Sequence, residues 1–95
     1  MLKVIAKSHA KADKLDRILE LSKEMVEKTV KEEGCIKYEL YQDVKDPQVL
    51  IFMEEWESED ALNKHIASEH FKRIISQINE LREKPSEMNM CKKLF

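Results

Sequence analysis

Residues 49–56, Val-Leu-Ile-Phe-Met-Glu-Glu-Trp, constrain the fold more than any other stretch of the chain. Read as a strand, they put Leu50, Phe52 and Trp56 on one side and Val49, Ile51 and Met53 on the other. A strand apolar on both sides has to be covered on both sides. The chain has 95 residues, and a single domain of that size buries only roughly 60–65% of the surface its unfolded form exposes. One layer of helices can cover one face, and the second face needs another cover. The rest of the pattern supplies the first layer. Residues 2–9 alternate, with Leu2, Val4, Ala6 and Ser8 opposite Lys3, Ile5, Lys7 and His9, and residues 35–42 alternate again, with Ile36, Tyr38 and Leu40 on one face. Between them Leu15, Ile18, Leu19, Ser22, Met25, Val26, Thr29 and Val30 recur at the helical period. Asp13 is placed to cap that helix, and Gly34, the only glycine, to end it in a left-handed turn. Asp43 to Gln48 forms a hairpin connection.

Ser58 and Ser68 are placed to cap two consecutive short helices, the first holding Ala61, Leu62, His65 and Ile66 and the second Phe71, Ile74, Ile75, Ile78 and Leu81. Pro85 stops the second, and Met88–Phe95 reads as a last strand. The order is βαββαβ, with the helical layer broken in two: an α+β domain over residues 1–95 in which helices cover one face of an antiparallel sheet. The row Val49, Ile51, Met53 then faces outward, and the simplest cover for it is a second copy of the chain.

Composition narrows the function. The chain is 38% charged, yet 17 Lys and Arg against 19 Asp and Glu leave a net charge of -2 and no basic stripe for nucleic acid. No apolar run is long enough to span a membrane, and the N-terminal alternation does not read as a signal peptide, so a cytoplasmic location is expected. Cys35 and Cys91 lack metal-ligand spacing and are read as reduced, buried thiols. No phosphate-cradling or dinucleotide-binding glycine pattern is present.

Several segments, in this order, resemble the antibiotic biosynthesis monooxygenase (ABM) family: Met1–Ala6; Lys31-Glu32-Glu33-Gly34-Cys35 leading to Tyr38; Glu54-Glu55-Trp56-Glu57-Ser58; Ala61-Leu62 through His65, Ser68, His70 and Phe71; and Glu87-Met88-Asn89. The family includes quinol monooxygenases and the enzyme that degrades phosphorylated autoinducer-2. The resemblance implies a ferredoxin-like protomer, a homodimeric α+β barrel, and a pocket in each protomer between sheet and helices. It also implies oxidation of a small quinol-like or polyketide-like aromatic by O2 with no metal, flavin or other cofactor. Haem-degrading relatives of the superfamily use an Asn, a Trp and an axial His at positions that hold Ser8, His65 and Ile75 here, which argues against haem.

Within that frame His65 is the expected proton acceptor, because it lies on an apolar stripe facing the sheet and imidazole titrates near neutral pH. A core histidine bonded to backbone is the competing reading. Tyr38, Trp56 and Phe52 share one parity and, with Phe71, are expected to form an aromatic wall around the substrate; Ser8 and His70 complete the expected binding set. Core packing would place the same aromatics equally well. Of Glu54 and Glu55, which point to opposite faces, one must turn inward or into the dimer seam, where a salt bridge is a stronger expectation than base catalysis. Two other functions fit: an isomerase or degradative enzyme for a small phosphorylated signal molecule, with Lys7, Lys37 or Arg73 as the cations, and a non-catalytic ligand-binding dimer.

Overall fold

The computed structural model describes all 95 residues. Strands β1 (Leu2–His9), β2 (Cys35–Gln42), β3 (Val49–Trp56) and β4 (Glu87–Cys91) form one antiparallel sheet in the order β2-β3-β1-β4. Helices α1 (Leu15–Thr29), α2 (Glu59–Ile66) and α3 (Glu69–Asn79) complete the order βαββααβ, the expected ferredoxin-like α+β architecture with its second helix split. The doubly apolar strand β3 is central, paired with β1 through Ala6 opposite Phe52 and Val4 opposite Glu54, and with β2 through Tyr38 opposite Glu54. Strand pleat therefore puts Val4, Ala6, Tyr38, Leu40, Leu50, Phe52, Glu54 and Trp56 on the one face that the helices cover.

Local chemistry explains the breaks. Ser58 and Ser68 are extended residues whose hydroxyls accept the Ala61 and Phe71 amides at 3.1 and 3.3 Å, so each starts its own helix and Ser68 divides the helical layer. In the hairpin, Asp43 Oδ1 accepts the Lys45 and Asp46 amides at 2.7 and 3.1 Å. Three expectations are corrected. Asp13 does not cap α1: it lies inside a short 3-10 turn, Ala12–Lys14, that leads into the helix, and no side chain caps that end. The buried stripe of α1 runs through Ile18, Leu21, Ser22, Met25 and Thr29, while Leu19 and Val30 face solvent, because α1 packs on α3 as well as on the sheet and turns Leu21 inward. The last strand also ends earlier than expected, at Cys91.

The core joins Val4, Tyr38 and Trp56 of the sheet to Leu21 and Met25 of α1, Leu62 of α2, and Ile74 and Ile78 of α3. Trp56, fully buried, is its largest member, and burial of one indole contributes about 5 kcal/mol by area. The opposite face carries Ile5, Ile51 and Met53, each only half-buried, among Lys3, Lys7, Lys37, Glu39 and Glu55.

Gly34 holds the α1–β2 turn at φ 86°, and a Cβ there would sit 2.5 Å from the Ala61 Cβ of α2. Backbone strain and clash act together, so Gly34→Ala is expected to destabilise the chain by roughly 2 kcal/mol or more in chemical denaturation. An unchanged midpoint would show that the turn does not need a glycine.

Candidate active site

The strand parity that buries Trp56 also buries Glu54. The residue is 6% exposed, on the helix face of the central strand, and its Oε1 accepts the Trp56 indole N–H at 2.9 Å. No cation lies within ion-pair distance of it in the chain, whereas Glu55, on the other face, pairs with Lys37 at 3.8 Å. Burial pushes the Glu54 carboxyl up to about 7, against the pull of the indole hydrogen bond and with help from the negative charge of Glu32. A carboxyl poised there exchanges protons under physiological conditions.

Glu54 looks onto a cavity of about 240 Å³ between sheet and helices. Tyr38, Phe52, Phe71, Met25, Ile75 and Met88 supply apolar walls, and Glu54, Asn79, Arg82 and Ser86 supply polar groups. The space suits a small aromatic ligand held between rings, with a few polar groups to orient it. Tyr38 and Phe52 pack at 5.2 Å between ring centroids. Burial and the nearby Glu54 and Glu32 charges drive the Tyr38 phenol far above its ordinary value, so it stays protonated, a donor rather than a base.

His65 is 1% exposed and lies behind this wall, with ring centroids 4.9 Å from Trp56, 4.9 Å from Phe71 and 5.3 Å from Tyr38. It does not line the cavity. Its Nδ1 donates to Glu32 Oε2 at 2.6 Å, and His70 Nε2 reaches the same oxygen at 3.1 Å. Burial lowers the affinity of His65 for a second proton although Glu32 favours it, which leaves a neutral ring whose Nε2 has no partner in the protein. The ligand atoms of Glu32, His65 and His70 lie within 4.8 Å of one another, a spacing a divalent cation could bridge. In this structure hydrogen bonds join them, and they tie the end of α1 to α2 and α3.

Of the residues expected at the site, Tyr38, Phe52 and Phe71 meet at the cavity. Trp56 contributes through Glu54, His70 through Glu32, and Ser8 lies along β1 opposite Leu50, away from it. The cations considered for a phosphorylated ligand are elsewhere: Arg73 pairs with Glu24 and Glu69, Lys37 with Glu55, and Lys7 is on the uncovered face. Asn79 and Arg82 were not anticipated. Their spacing from Phe71 and Ile75, in steps of four, four and three, continues one helical stripe past the end of α3 and would have indicated them.

A sequence profile described as antibiotic biosynthesis monooxygenase matches residues 1–77. The chain belongs to the antibiotic biosynthesis monooxygenase family. A solved structure of an antibiotic biosynthesis monooxygenase superposes with TM-score 0.96 at 39% identity, covering 99% of each chain. Rv0793 of Mycobacterium tuberculosis, provisionally named a monooxygenase, is 30% identical over 82 residues, 86% of this chain and 80% of that one. Its solved structure superposes with TM-score 0.94, covering 99% of this chain and 95% of that one. The Synechocystis protein sll1783 is 30% identical over 82 residues, 86% of this chain, and this ABM chain spans 56% of that protein's length. A monooxygenase-like role follows from the family in general terms.

The raised Glu54 carboxyl has a measurable consequence. The unfolded chain releases this proton near 4.5 and the folded chain near 7, so the folded state binds the extra proton in between. Stability should therefore fall by roughly 3 kcal/mol as pH rises across that window and level off above it. Glu54→Gln removes this component, so its stability relative to wild type should rise over the same window in urea titrations. Parallel pH curves for the two proteins would show an ordinary, solvated carboxyl.

Proposed function

We propose that this chain is a cofactor-independent monooxygenase for a small quinol-like or polyketide-like aromatic, with Glu54 as the proton acceptor. The observation that carries the reading is a buried carboxyl, paired with no cation, on the wall of a largely apolar cavity, where burial pushes it up to about 7. A hydroxylated ring between Tyr38, Phe52 and Phe71 would present an acidic C–H or O–H to Glu54. Removal of that proton leaves a delocalised anion, which passes one electron to O2. The resulting carbon radical and superoxide combine into a peroxide, the Glu54 proton returns to it, and loss of water leaves a carbonyl. The balance is one CH2 and one O2 giving one C=O and one H2O. The low polarity of the cavity strengthens both steps, since it raises the base and favours spread charge over localised charge.

In this reading the proton-accepting role expected of His65 passes to Glu54, because His65 does not face the cavity. His65 instead fixes the rings of Tyr38, Trp56 and Phe71 from behind, anchored by Glu32. Oxygen uptake with an anthrone or menadiol tests the assignment. Wild-type kcat/KM should climb with pH to a plateau with an inflection near 7, and Glu54→Gln should lower it by about 100-fold or more. The variant His65→Ala should lose stability but keep that inflection. Full activity in Glu54→Gln would remove the proposed base, and no oxygen uptake with any of a panel of hydroxylated aromatics would favour a ligand-binding or phosphorylated-substrate role.

The reading includes a homodimer. The row Ile5, Ile51 and Met53 is only half-buried, and it is bordered by Lys3, Lys7 and Lys37 and by Glu39 and Glu55. An apolar centre rimmed by both signs of charge is self-complementary across a two-fold axis, which argues for a second copy rather than a strongly charged partner. Light scattering should return twice the chain mass of 11.3 kDa, and Met53→Lys should shift it to the monomer. A monomeric wild type would contradict the dimer while leaving the chemistry of Glu54 intact.

A further inference from the structure

Arg82 is the least explained charged group in the molecule. It is partly buried at the junction of two cavities, and its Nε has no acceptor in the protein. Glu83 Oε1 is engaged by Gln48 at 2.7 Å, and Lys11 caps the Glu80 carbonyl at 3.1 Å. The main chain on either side of it is held in place. Arg82 bridges to Ala10, Glu83 donates its amide to the His9 carbonyl at 2.9 Å, and Lys11 donates its amide to the Leu81 carbonyl at 2.9 Å. A partly desolvated cation without a counter-charge in the chain is costly and calls for an explanation, and an anion that binds there is one.

The surroundings specify that anion. The aromatic cavity shares Asn79, Arg82 and Ser86 with a second, polar cleft of about 450 Å³, to which Lys84 and Pro85 also belong. No carboxylate lines the polar cleft. It offers a guanidinium fork, an amide, a hydroxyl and an ammonium, a set of donors suited to a planar anionic oxygen pair.

We propose that the Arg82 cleft binds a carboxylate carried by the aromatic substrate, so that the preferred ligand is a hydroxylated one- or two-ring aromatic acid whose ring lies against Tyr38, Phe52 and Phe71. The carboxylate meets Arg82, with Asn79 and Ser86 beside it. Lys84, at the exposed end, adds attraction rather than geometry. The inference rests on the reading of the aromatic cavity as the substrate site, and it narrows the substrate class from any quinol to an acidic one.

Calorimetric binding tests it without turnover, using 6-hydroxy-2-naphthoate, 2-naphthol and 2-naphthyl phosphate, none of which is a quinol. Wild-type protein should bind the hydroxynaphthoate at least about tenfold more tightly than 2-naphthol, with the advantage shrinking as salt rises. Arg82→Gln should abolish the difference, and Lys84→Gln should reduce it and its salt dependence, with folding checked by circular dichroism. Equal affinities for the acid and the naphthol in wild type, or an acid preference surviving in Arg82→Gln, would overturn the proposal. If Arg82→Gln fails to fold, an acid preference untouched by both Lys84→Gln and salt would overturn it. Tighter binding of the phosphate than of the carboxylate would overturn the choice of carboxylate. An acid preference in a chain that oxidises no quinol would defeat the oxygenase reading and keep this one, whereas quinol oxidation without acid preference would do the reverse.

Discussion

A single hydrogen bond, from the Trp56 indole to Glu54, reconciles the most buried part of the sheet with an ionisable group. Strand β3 needs its helix-facing side apolar to hold the core together, yet it carries a carboxyl in that row, two residues from the tryptophan. Without a donor such a group would be either excluded from the interior or kept permanently neutral. With one donor and no cation it sits between those limits, and that intermediate state gives it chemical use. The aromatic packing around Trp56, the placement of His65 behind it and the Glu32 contacts that anchor His65 all serve to keep this arrangement rigid.

Stability and function pull against each other at this strand. A glutamine at position 54 would make a better-behaved core above neutral pH, and the native carboxyl weakens the fold there. Retaining a group that costs stability is the usual mark of a site in which proton transfer matters. The half-buried row on the opposite face belongs to the same compromise: a strand apolar on both sides positions Glu54 firmly, but it leaves Ile51 and Met53 needing cover.

Much of the fold was legible because it rests on periodicity and on residues with a narrow conformational role. Alternation located β1 and β2, a run apolar on both sides located β3, Ser58 and Ser68 marked the helix starts, and Gly34 marked the left-handed turn. Rotational setting was less legible. Leu19 and Leu21 are equally apolar, and only the packing of α1 against α3 decides which turns inward. The site was legible in part for the same reason. Parity put Tyr38 and Phe52 on one face and Glu54 and Glu55 on opposite faces, but which carboxyl turned inward, and whether it met a cation or an indole, depended on contacts between elements. The partnership of Glu32 with His65 and His70 spans 33 and 38 residues and carries no local signal. Arg82 continues the stripe of Phe71, Ile75 and Asn79 beyond the end of α3, but its pairing with Ala10, just past the end of β1, joins distant segments and carries no local signal.

Glu54 is a buried carboxyl shared between core and cavity, and its burial poises it to exchange a proton. A carbon-13 NMR titration of the Glu54 side-chain carboxyl reports this directly. A midpoint near 7 would agree with the arrangement described, and a midpoint near the ordinary value of 4.5 would contradict it.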